Sequence, residues 1–234
     1  MNGQTASKRE TVEVAIVGAG FGGLCMAIRL LESGVRDFVV LEKGADVGGT
    51  WRDNTYPGAA CDVQSHFYSY SFAGKADWSR RYAPWDEIQR YILDVTTKYG
   101  LRQYIRFGKE VSAARFDAST AQWHVGLKSG ERLTARHVVL ATGPLHVPQI
   151  PEIPGLANFK GRVFHSARWD HGYDLAGKRV ASIGTGASAI QYCPAIAPQA
   201  GRLHVFQRTP AWVIPRDTRR YSAAAQRRYA RHQW

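Results

Sequence analysis

The chain has 234 residues, 44% of them hydrophobic and 21% charged, which is typical of one large globular domain or of one domain with part of a second. No apolar run has the length of a membrane-spanning helix, and the three cysteines form no Cys-x-x-Cys pair, so neither a membrane protein nor a disulfide framework or zinc site is indicated. The net charge of +12 is concentrated near the end, where eight arginines after residue 201 face one acidic residue, so it does not indicate a nucleic-acid partner.

The amino terminus is predicted to be a disordered lead over residues 1–10, because it is polar and lacks the apolar core of a secretory signal. The isolated cysteines are expected to be reduced thiols. A cytoplasmic location, with no membrane partner and no bound metal, is therefore the default expectation. The oligomeric state stays open.

A strand, a glycine loop and a helix are predicted to open the ordered part of the chain. Thr11 to Val17 is β-branched and apolar, which favours a parallel strand covered on both faces. The loop that follows is Gly18-Ala19-Gly20-Phe21-Gly22-Gly23. A helix is predicted next, because Leu24, Ala27, Ile28 and Leu31 recur at helical spacing and form one apolar face. Gly34 is predicted to end it.

The next predicted strand, Phe38 to Leu41, ends in Glu42, 24 residues after Gly18. This completes a dinucleotide-binding pattern, in which glycines allow a tight turn, the pyrophosphate lies at the positive helix N-terminus and the acidic residue takes a ribose hydroxyl. A bare glycine motif also occurs in ordinary loops, so the prediction depends on the complete unit. The predicted contacts are Gly18, Gly20, Phe21, Gly23 and Glu42.

The middle of the chain is predicted to be more irregular. Composition alone favours an ordinary surface loop over residues 48–62, and residues 65–72 are predicted to be a strand or an irregular stretch. Pro84 to Lys98 is predicted to be a helix ended by Gly100. Short alternating runs over residues 105–140 predict an antiparallel meander added to the main sheet, and residues 138–143 a buried strand.

Prolines at 148, 151 and 154 indicate a stiff linker, which we place at residues 146–176. A second buried strand, Val180 to Ile183, then precedes a second glycine loop, and Pro194 is expected to kink or shorten the next helix. The contacts predicted in this loop are Gly184, Thr185, Gly186, Ser188 and Ala189.

Arg208 follows Gly184 by 24 residues, the offset at which the first unit has Glu42. A cation there matches a 2′-phosphate, whereas a carboxylate would repel it, so the second unit is predicted to prefer NADPH to NADH. A solvated arginine after a strand is the alternative interpretation.

The linker contains Phe159, Gly161, His165 and Trp169, followed by Asp170. This spacing resembles the fingerprint of type I Baeyer-Villiger monooxygenases, which belong to the class B flavin-dependent monooxygenases. In the related enzymes that oxidise nitrogen and sulfur, the last aromatic is typically not tryptophan. Without the resemblance, the four residues would be interpreted as core anchors, a turn glycine and a buried histidine. The resemblance implies that His165 and Trp169 couple domain movement to catalysis and take no part in bond chemistry.

The resemblance also implies the cofactors FAD and NADPH, with FAD in the first unit. NADPH would reduce FAD, O₂ would form a C4a-peroxyflavin, and a ketone would be converted to an ester or lactone. Asp62 would be the catalytic residue, holding a partner arginine near the flavin. Tyr68 is similar to a flavin-contacting position, although a packed core tyrosine is an equal alternative. The remaining expected cofactor contacts are Gly49, Thr50, Trp51, Val111 and Thr209.

The expected fold is α/β, with two Rossmann-like dinucleotide-binding units, the first carrying an added antiparallel meander and the second incomplete. Residues 11–145 are expected to be the N-terminal part of the FAD-binding domain, and residues 177–234 the beginning of the NADP-binding domain. Family members continue further, so the active-site arginine and the second half of the FAD site are not expected within this sequence. An enzyme that oxygenates nitrogen or sulfur and a non-catalytic nucleotide-binding fragment are the alternatives.

Overall fold

The computed structural model describes residues 10–144 and 146–231, which fall into two compact units. One unit contains residues 10–52 and 92–144, and the other contains residues 53–91 and 146–231. Residues 53–91, which the sequence prediction counted with the FAD-binding domain, thus group with the second unit. Residues 1–9 of the predicted lead lie outside the described residues, and its last residue, Glu10, belongs to the first strand.

The described residues form eight strands and five α-helices. The strands are β1 (Glu10–Val17), β2 (Phe38–Leu41), β3 (Ile105–Arg106), β4 (Val111–Asp117), β5 (Gln122–Leu127), β6 (Arg132–Leu140), β7 (Arg179–Ile183) and β8 (Arg202–Phe206). The helices are α1 (Phe21–Glu32), α2 (Thr50–Asp53), α3 (Trp85–Lys98), α4 (Ala187–Ile196) and α5 (Ala223–Arg231). Short 3-10 helices lie at Leu101–Tyr104, Leu156–Asn158 and Ser166–Arg168. Among the described helices, none is both long and apolar enough to cross a membrane.

The first unit is built on a six-stranded sheet with the order β3-β2-β1-β6-β5-β4. Parallel pairing joins β1 to β2 and to β6, with Ile16 opposite Val40 and Val139. Ile16 and Val40 are fully buried, as expected for apolar strands in the middle of a parallel sheet. Helix α1 follows β1 and precedes β2 in the chain, and it buries Leu24 and Ile28. Gly34 comes shortly after the helix, with φ of +82°. This confirms the predicted strand, loop, helix and strand.

The added strands differ from the prediction in two ways. β3 pairs parallel with β2, so it extends the main sheet and is not part of a meander. β6 is one strand of nine residues that pairs antiparallel with β5 and parallel with β1. The prediction of a buried strand at 138–143 is wrong at its end, because β6 stops at Leu140 and that side chain is 70% exposed. The apolar composition of this strand predicts that other elements pack on both faces of the sheet, but among the described residues no element covers the side chain of Leu140.

In the second unit, β7 and β8 pair in parallel and α4 lies between them in the chain. Pro194 lies inside α4, which ends two residues later, as predicted for a shortened helix. The prediction that β7 is buried is wrong, because Ile183 is 56% exposed and only Ser182 of its five residues is buried. A sheet of two strands offers too few neighbours to cover both faces.

The predicted helix at 84–98 is α3, which starts one residue after Pro84. It buries Ile88, Tyr91, Ile92 and Val95, which recur at helical spacing on one face. Gly100 follows the helix in the left-handed region, with φ of +60°. Residues 65–72 are irregular, with turns and one isolated bridge from Tyr70 to Ala73.

Candidate functional site

The first glycine loop is packed so tightly that two of its glycines cannot be replaced without moving the backbone. Gly18 has φ of +104°, and a Cβ added there would lie 2.6 Å from the carbonyl oxygen of Ala141. A Cβ at Gly23 would lie 1.9 Å from the carbonyl oxygen of Gly18. The loop, the start of α1 and the chain after β6 therefore fit together only with glycine at both positions.

Gly20 has a different role, because it occupies the N-cap of α1 with an extended backbone that any residue can adopt. Its nearest neighbour is the Cα of Gly49, 3.8 Å from an added Cβ. The Gly48 amide donates to the Ala19 carbonyl at 3.0 Å, which brings this second loop alongside the first. Two glycines from separate loops thus meet before the N-terminus of α1 and leave its backbone accessible. This arrangement fits an anionic group of a nucleotide.

Glu42 is only 4% exposed and lies at the end of β2. Its Oε2 accepts from the Ala19 amide at 2.8 Å, and its Oε1 accepts from the Gly44 amide at 2.7 Å and from Nη1 of Arg52 at 2.8 Å. The carboxylate therefore ties the glycine loop to the turn after β2. Oε2 keeps a second lone pair, which can accept a ribose hydroxyl.

Arg52 is the residue of this site that the sequence prediction missed. Gly44 makes room for it, since an added Cβ would lie 2.3 Å from the guanidinium carbon. The sequence indicates this contact only by the position of Arg52 ten residues after Glu42. That spacing predicts an ion pair only when the turn between the two residues is known.

The other predicted residues of the first unit lie around this site. Phe21 begins α1, and Thr50 and Trp51 begin α2 immediately after Gly49. Val111 begins β4, two residues after Lys109, whose amide donates to the Glu42 carbonyl at 2.8 Å. The segment before β4 therefore lies beside the end of β2.

The second glycine loop is more open than the first. Gly184 has φ of +96°, which explains the glycine, but an added Cβ at Gly184 or Gly186 meets no heavy atom within 4 Å. Gly186 is the N-cap of α4 and has an extended backbone. Packing within the protein therefore does not demand glycine at 186, and its missing side chain leaves the N-terminus of α4 open to a ligand.

The end of β8 lies beside this second loop. Nε2 of Gln207 donates to Oγ1 of Thr185 at 2.9 Å, and the Gly184 amide donates to the Phe206 carbonyl at 2.9 Å. Arg208 and Thr209 follow directly and are exposed. Ser188 is half-buried in the first turn of α4, and Ala189 is 7% exposed.

Asp62 is exposed and follows Cys61, which is 2% exposed. Burial raises the pKa of the Cys61 thiol to about 11. Nη1 of Arg216 donates to the Cys61 carbonyl at 3.2 Å, so a cation that the sequence prediction did not single out binds the residue immediately before Asp62. Tyr68 is half-buried in a turn, with its amide donating to the Gln64 carbonyl at 3.1 Å.

In the linker motif, the ring of Phe159 lies over Gly161, where an added Cβ would be 2.5 Å from two ring atoms. Nδ1 of His165 accepts from the Ala167 amide at 3.1 Å and caps the 3-10 helix there.

Trp169 packs against Phe164, with ring centroids 5.2 Å apart, and against Tyr192 of α4 at 5.5 Å. Asp170 pairs with Arg162 at 2.6 Å. The motif is therefore held together by local contacts, and its tryptophan packs against the helix that follows the second glycine loop.

Comparison with known proteins agrees with this geometry. The family described as FMO-like, flavin-binding monooxygenase-like, matches residues 11–223. A Baeyer-Villiger monooxygenase of Streptomyces coelicolor is 55% identical over 215 residues, which are 92% of this chain and 41% of that protein. A Baeyer-Villiger monooxygenase of Pseudomonas aeruginosa is 48% identical over 94% of this chain and 42% of its own length. The chain thus spans about two fifths of these relatives.

Solved structures show the same similarity. Cyclohexanone monooxygenase from Rhodococcus sp. Phi1 bound to NADP+ superposes with a TM-score of 0.88 at 36% identity, covering 95% of this chain and 43% of that one. OTEMO in complex with FAD and NADP also has a TM-score of 0.88 at 36% identity, covering 96% of this chain and 45% of the other. The expected α/β fold with Rossmann-like units is thereby confirmed.

Proposed function

The chain belongs to the flavin-binding monooxygenase-like family, and from this membership we propose that it provides an FAD site and an NADPH site to a Baeyer-Villiger monooxygenase. The observation that carries the proposal is the pair of helix N-termini, each fronted by a glycine at the N-cap: Gly20 before α1 and Gly186 before α4. Each is followed at the end of the next strand by a charged residue, and the charges are opposite. The acid suits ribose hydroxyls, and the cation suits a 2′-phosphate.

In the first unit, Gly18, Gly20 and Gly23 would let the FAD pyrophosphate approach α1, and Glu42 would accept a ribose hydroxyl through Oε2. The neighbouring loop would add Gly49, Thr50 and Trp51. Val111 would contact the nucleotide from the segment beside Glu42. This assignment is supported by the close approach of Gly20 and Gly49, which keeps side chains out of the space before the helix.

In the second unit, the NADPH pyrophosphate would lie before α4, on the amides of Gly186 and Ser188. The remaining contacts of the loop would come from Gly184, Thr185 and Ala189. Arg208 would pair with the 2′-phosphate, with Thr209 beside it. The hydrogen bond from Gln207 to Thr185 supports this assignment, because it holds the end of β8 against the glycine loop.

FAD bound at the first loop would supply the oxygen chemistry after reduction by NADPH, and the overall reaction would convert NADPH, a proton, O₂ and a ketone into NADP+, water and an ester or lactone. Asp62 would orient a cation near the flavin ring, and Tyr68 would contact the flavin from the same segment. Asp62 is exposed and available for this role, and it follows the buried Cys61, whose amide donates to the Ala83 carbonyl at 2.9 Å.

The linker motif would couple movement of the NADPH-binding region to catalysis. His165 is engaged through Nδ1 as a helix cap, which fits a structural role better than that of a general base. Trp169 packs against Tyr192 on α4, which supports a mechanical link to the second glycine loop.

The three cysteines, Cys25, Cys61 and Cys193, are free thiols, which supports the proposal of a cytoplasmic location.

The test is to mix the chain with FAD and NADPH without oxygen and to follow the flavin absorption. Bleaching on addition of NADPH is expected, and ester formation from a ketone once air is admitted would show that the chain also carries out the oxygenation. Oxidation of an amine or sulfide without turnover of ketones would favour the nitrogen- or sulfur-oxygenating alternative. Binding of both nucleotides without bleaching would limit the chain to a nucleotide-binding role.

A further inference from the structure

The segment from Tyr56 to Asp62 is hydrogen-bonded to α4 through the side chain of Gln191. Oε1 of Gln191 accepts from the Ala60 amide at 3.2 Å and from the Tyr56 hydroxyl at 3.0 Å, while Nε2 donates to the Ala60 carbonyl at 2.8 Å. The side-chain amide thus pairs with the Ala60 peptide groups in both directions, as a neighbouring strand would. The opposite amide orientation would set an N–H against the Ala60 N–H, so the contacts define the orientation.

The backbone of this segment is shaped to receive the helix. Gly58 has φ of +80°, and an added Cβ would lie 2.7 Å from the Gln191 carbonyl oxygen and 3.2 Å from the Cβ of Ala195. On its other side, the Cys61 amide donates to the Ala83 carbonyl at 2.9 Å. Tyr56, Ala59 and Cys61 are at most 8% exposed. The segment is therefore fixed between α4 and the residues before α3, although its composition predicted an ordinary surface loop.

Gln191 also lies close to the second glycine loop. It is the fifth residue of α4, one turn from the N-cap Gly186. Its neighbour Tyr192 bonds through its hydroxyl to Oγ of Ser182 on β7, at 2.7 Å, and packs against both Tyr56 and Trp169. Gln191 and Tyr192 thus connect the first turns of α4 to the segment that ends in Asp62.

We propose that Gln191 is a positioning residue, which holds residues 56–62 to α4 and transmits occupancy of the second glycine loop to the segment carrying Asp62. The attachment itself depends only on the contacts described above. The transmission rests on the proposed function, because it requires a dinucleotide to bind before α4.

The test is hydrogen exchange of the amides in residues 56–62, with and without NADP+, in the 234-residue chain and its variants. Gln191→Met keeps the length of the side chain and removes all three hydrogen bonds. Gln199→Met is the matched control, because Gln199 is exposed beyond the end of the same helix. Tyr56→Phe removes only the hydroxyl contact and provides a mild variant in case Gln191→Met does not fold.

In the unliganded chain, we expect Gln191→Met to exchange the Ala60 amide about tenfold faster, the effect of losing one hydrogen bond, with a smaller increase for Tyr56→Phe. NADP+ should slow exchange across residues 56–62 in the wild type and in Gln199→Met. In Gln191→Met this slowing should be lost, although NADP+ affinity, measured by calorimetry, stays within about threefold. A purely structural role would not remove the response to NADP+.

Exchange at Ala60 that is equal in wild type and Gln191→Met would overturn the attachment. Equal slowing by NADP+ in both would overturn the transmission. A wild-type chain that binds no NADP+ would overturn the proposed function and the transmission together, while the unliganded comparison would still decide the attachment.

Discussion

The two glycine loops have the same arrangement but differ in what requires their glycines. In the first, Gly18 and Gly23 are required by the protein itself, because added side chains would overlap the backbone. In the second, Gly184 is explained by its positive φ, whereas Gly186 has open space around it and an ordinary conformation. Ala189 occupies the position that corresponds to Gly23.

This contrast separates two uses of one motif. Close packing of helix on strand makes the first loop part of the fold of its unit, whereas the second loop has room for a methyl group at Ala189. The charged residues follow the same division. Glu42 is buried and bound by three donors, and Arg208 is exposed. Changes in the first loop should therefore affect folding, and changes in the second should affect binding.

The largest effect is expected from Gly23→Ala. Its Cβ would overlap the Gly18 carbonyl oxygen, so the free energy of unfolding should fall by at least about 3 kcal/mol. Gly186→Ala is the matched control and should change stability by no more than about 0.5 kcal/mol while weakening NADP+ binding. Chemical denaturation of the two variants measures the difference. Equal losses of stability would show that the two loops are packed alike.

The charged strand ends give the next largest effect. Glu42→Gln removes the charge that faces Arg52 and the Ala19 amide, and it should lower the free energy of unfolding by about 2 kcal/mol. Arg208→Gln neutralises the corresponding exposed position and should change it by no more than about 0.5 kcal/mol. Denaturation curves of both variants measure the two changes. A similar loss of stability in each would show that the buried Glu42 and the exposed Arg208 do not differ in their contribution to folding.

How far the sequence could be interpreted depended on the range of the interactions. The unit from Thr11 to Glu42 follows from local patterns, and the strand Phe38–Leu41 matches the structure at both ends. The bond between Ala60 and Gln191 joins residues 131 positions apart, and no local pattern encodes it. The exposure of Leu140 and Ile183 could not be predicted either, because composition shows what a strand can bury and not what lies over it.

A smaller effect, on cofactor choice, is expected from Arg208→Gln. Loss of the pairing with a 2′-phosphate should weaken NADP+ binding about tenfold, with little change for NAD+. Arg202→Gln is a suitable control, because Arg202 is exposed at the start of β8, the strand that precedes Arg208. Calorimetric titration with NADP+ and with NAD+ gives the ratio of the two affinities. An unchanged ratio would support the alternative that Arg208 is a solvated arginine.

The smallest expected effects are on the pH dependence of stability, where Glu10 of the first unit acts at acid pH and Cys61 of the second unit acts at alkaline pH. Hydrogen bonding to Arg106 lowers the pKa of Glu10 below 4.5, so its contribution is present above pH 4.5 and is lost as the pH falls through the lowered pKa. Burial raises the pKa of Cys61 from 9.0 to about 11, so the stability of the neutral thiol is present below pH 9.0 and is lost as the pH rises towards 11.

Thermal unfolding across the pH range tests these signs. Glu10→Gln should reduce the loss of stability at acid pH and leave the alkaline side unchanged, and Cys61→Ala should do the reverse. If either variant changed both sides equally, the assignment of Glu10 to the acid side and Cys61 to the alkaline side would be wrong.

The most direct test of the two-site proposal is a calorimetric titration of the 234-residue chain with FAD, followed by NADP+ in the presence of saturating FAD. Each nucleotide should bind with a stoichiometry of one, and saturating FAD should not prevent the binding of NADP+. Competition between the two nucleotides for one site would contradict the proposal that the loop at Gly18 and the loop at Gly184 serve different cofactors.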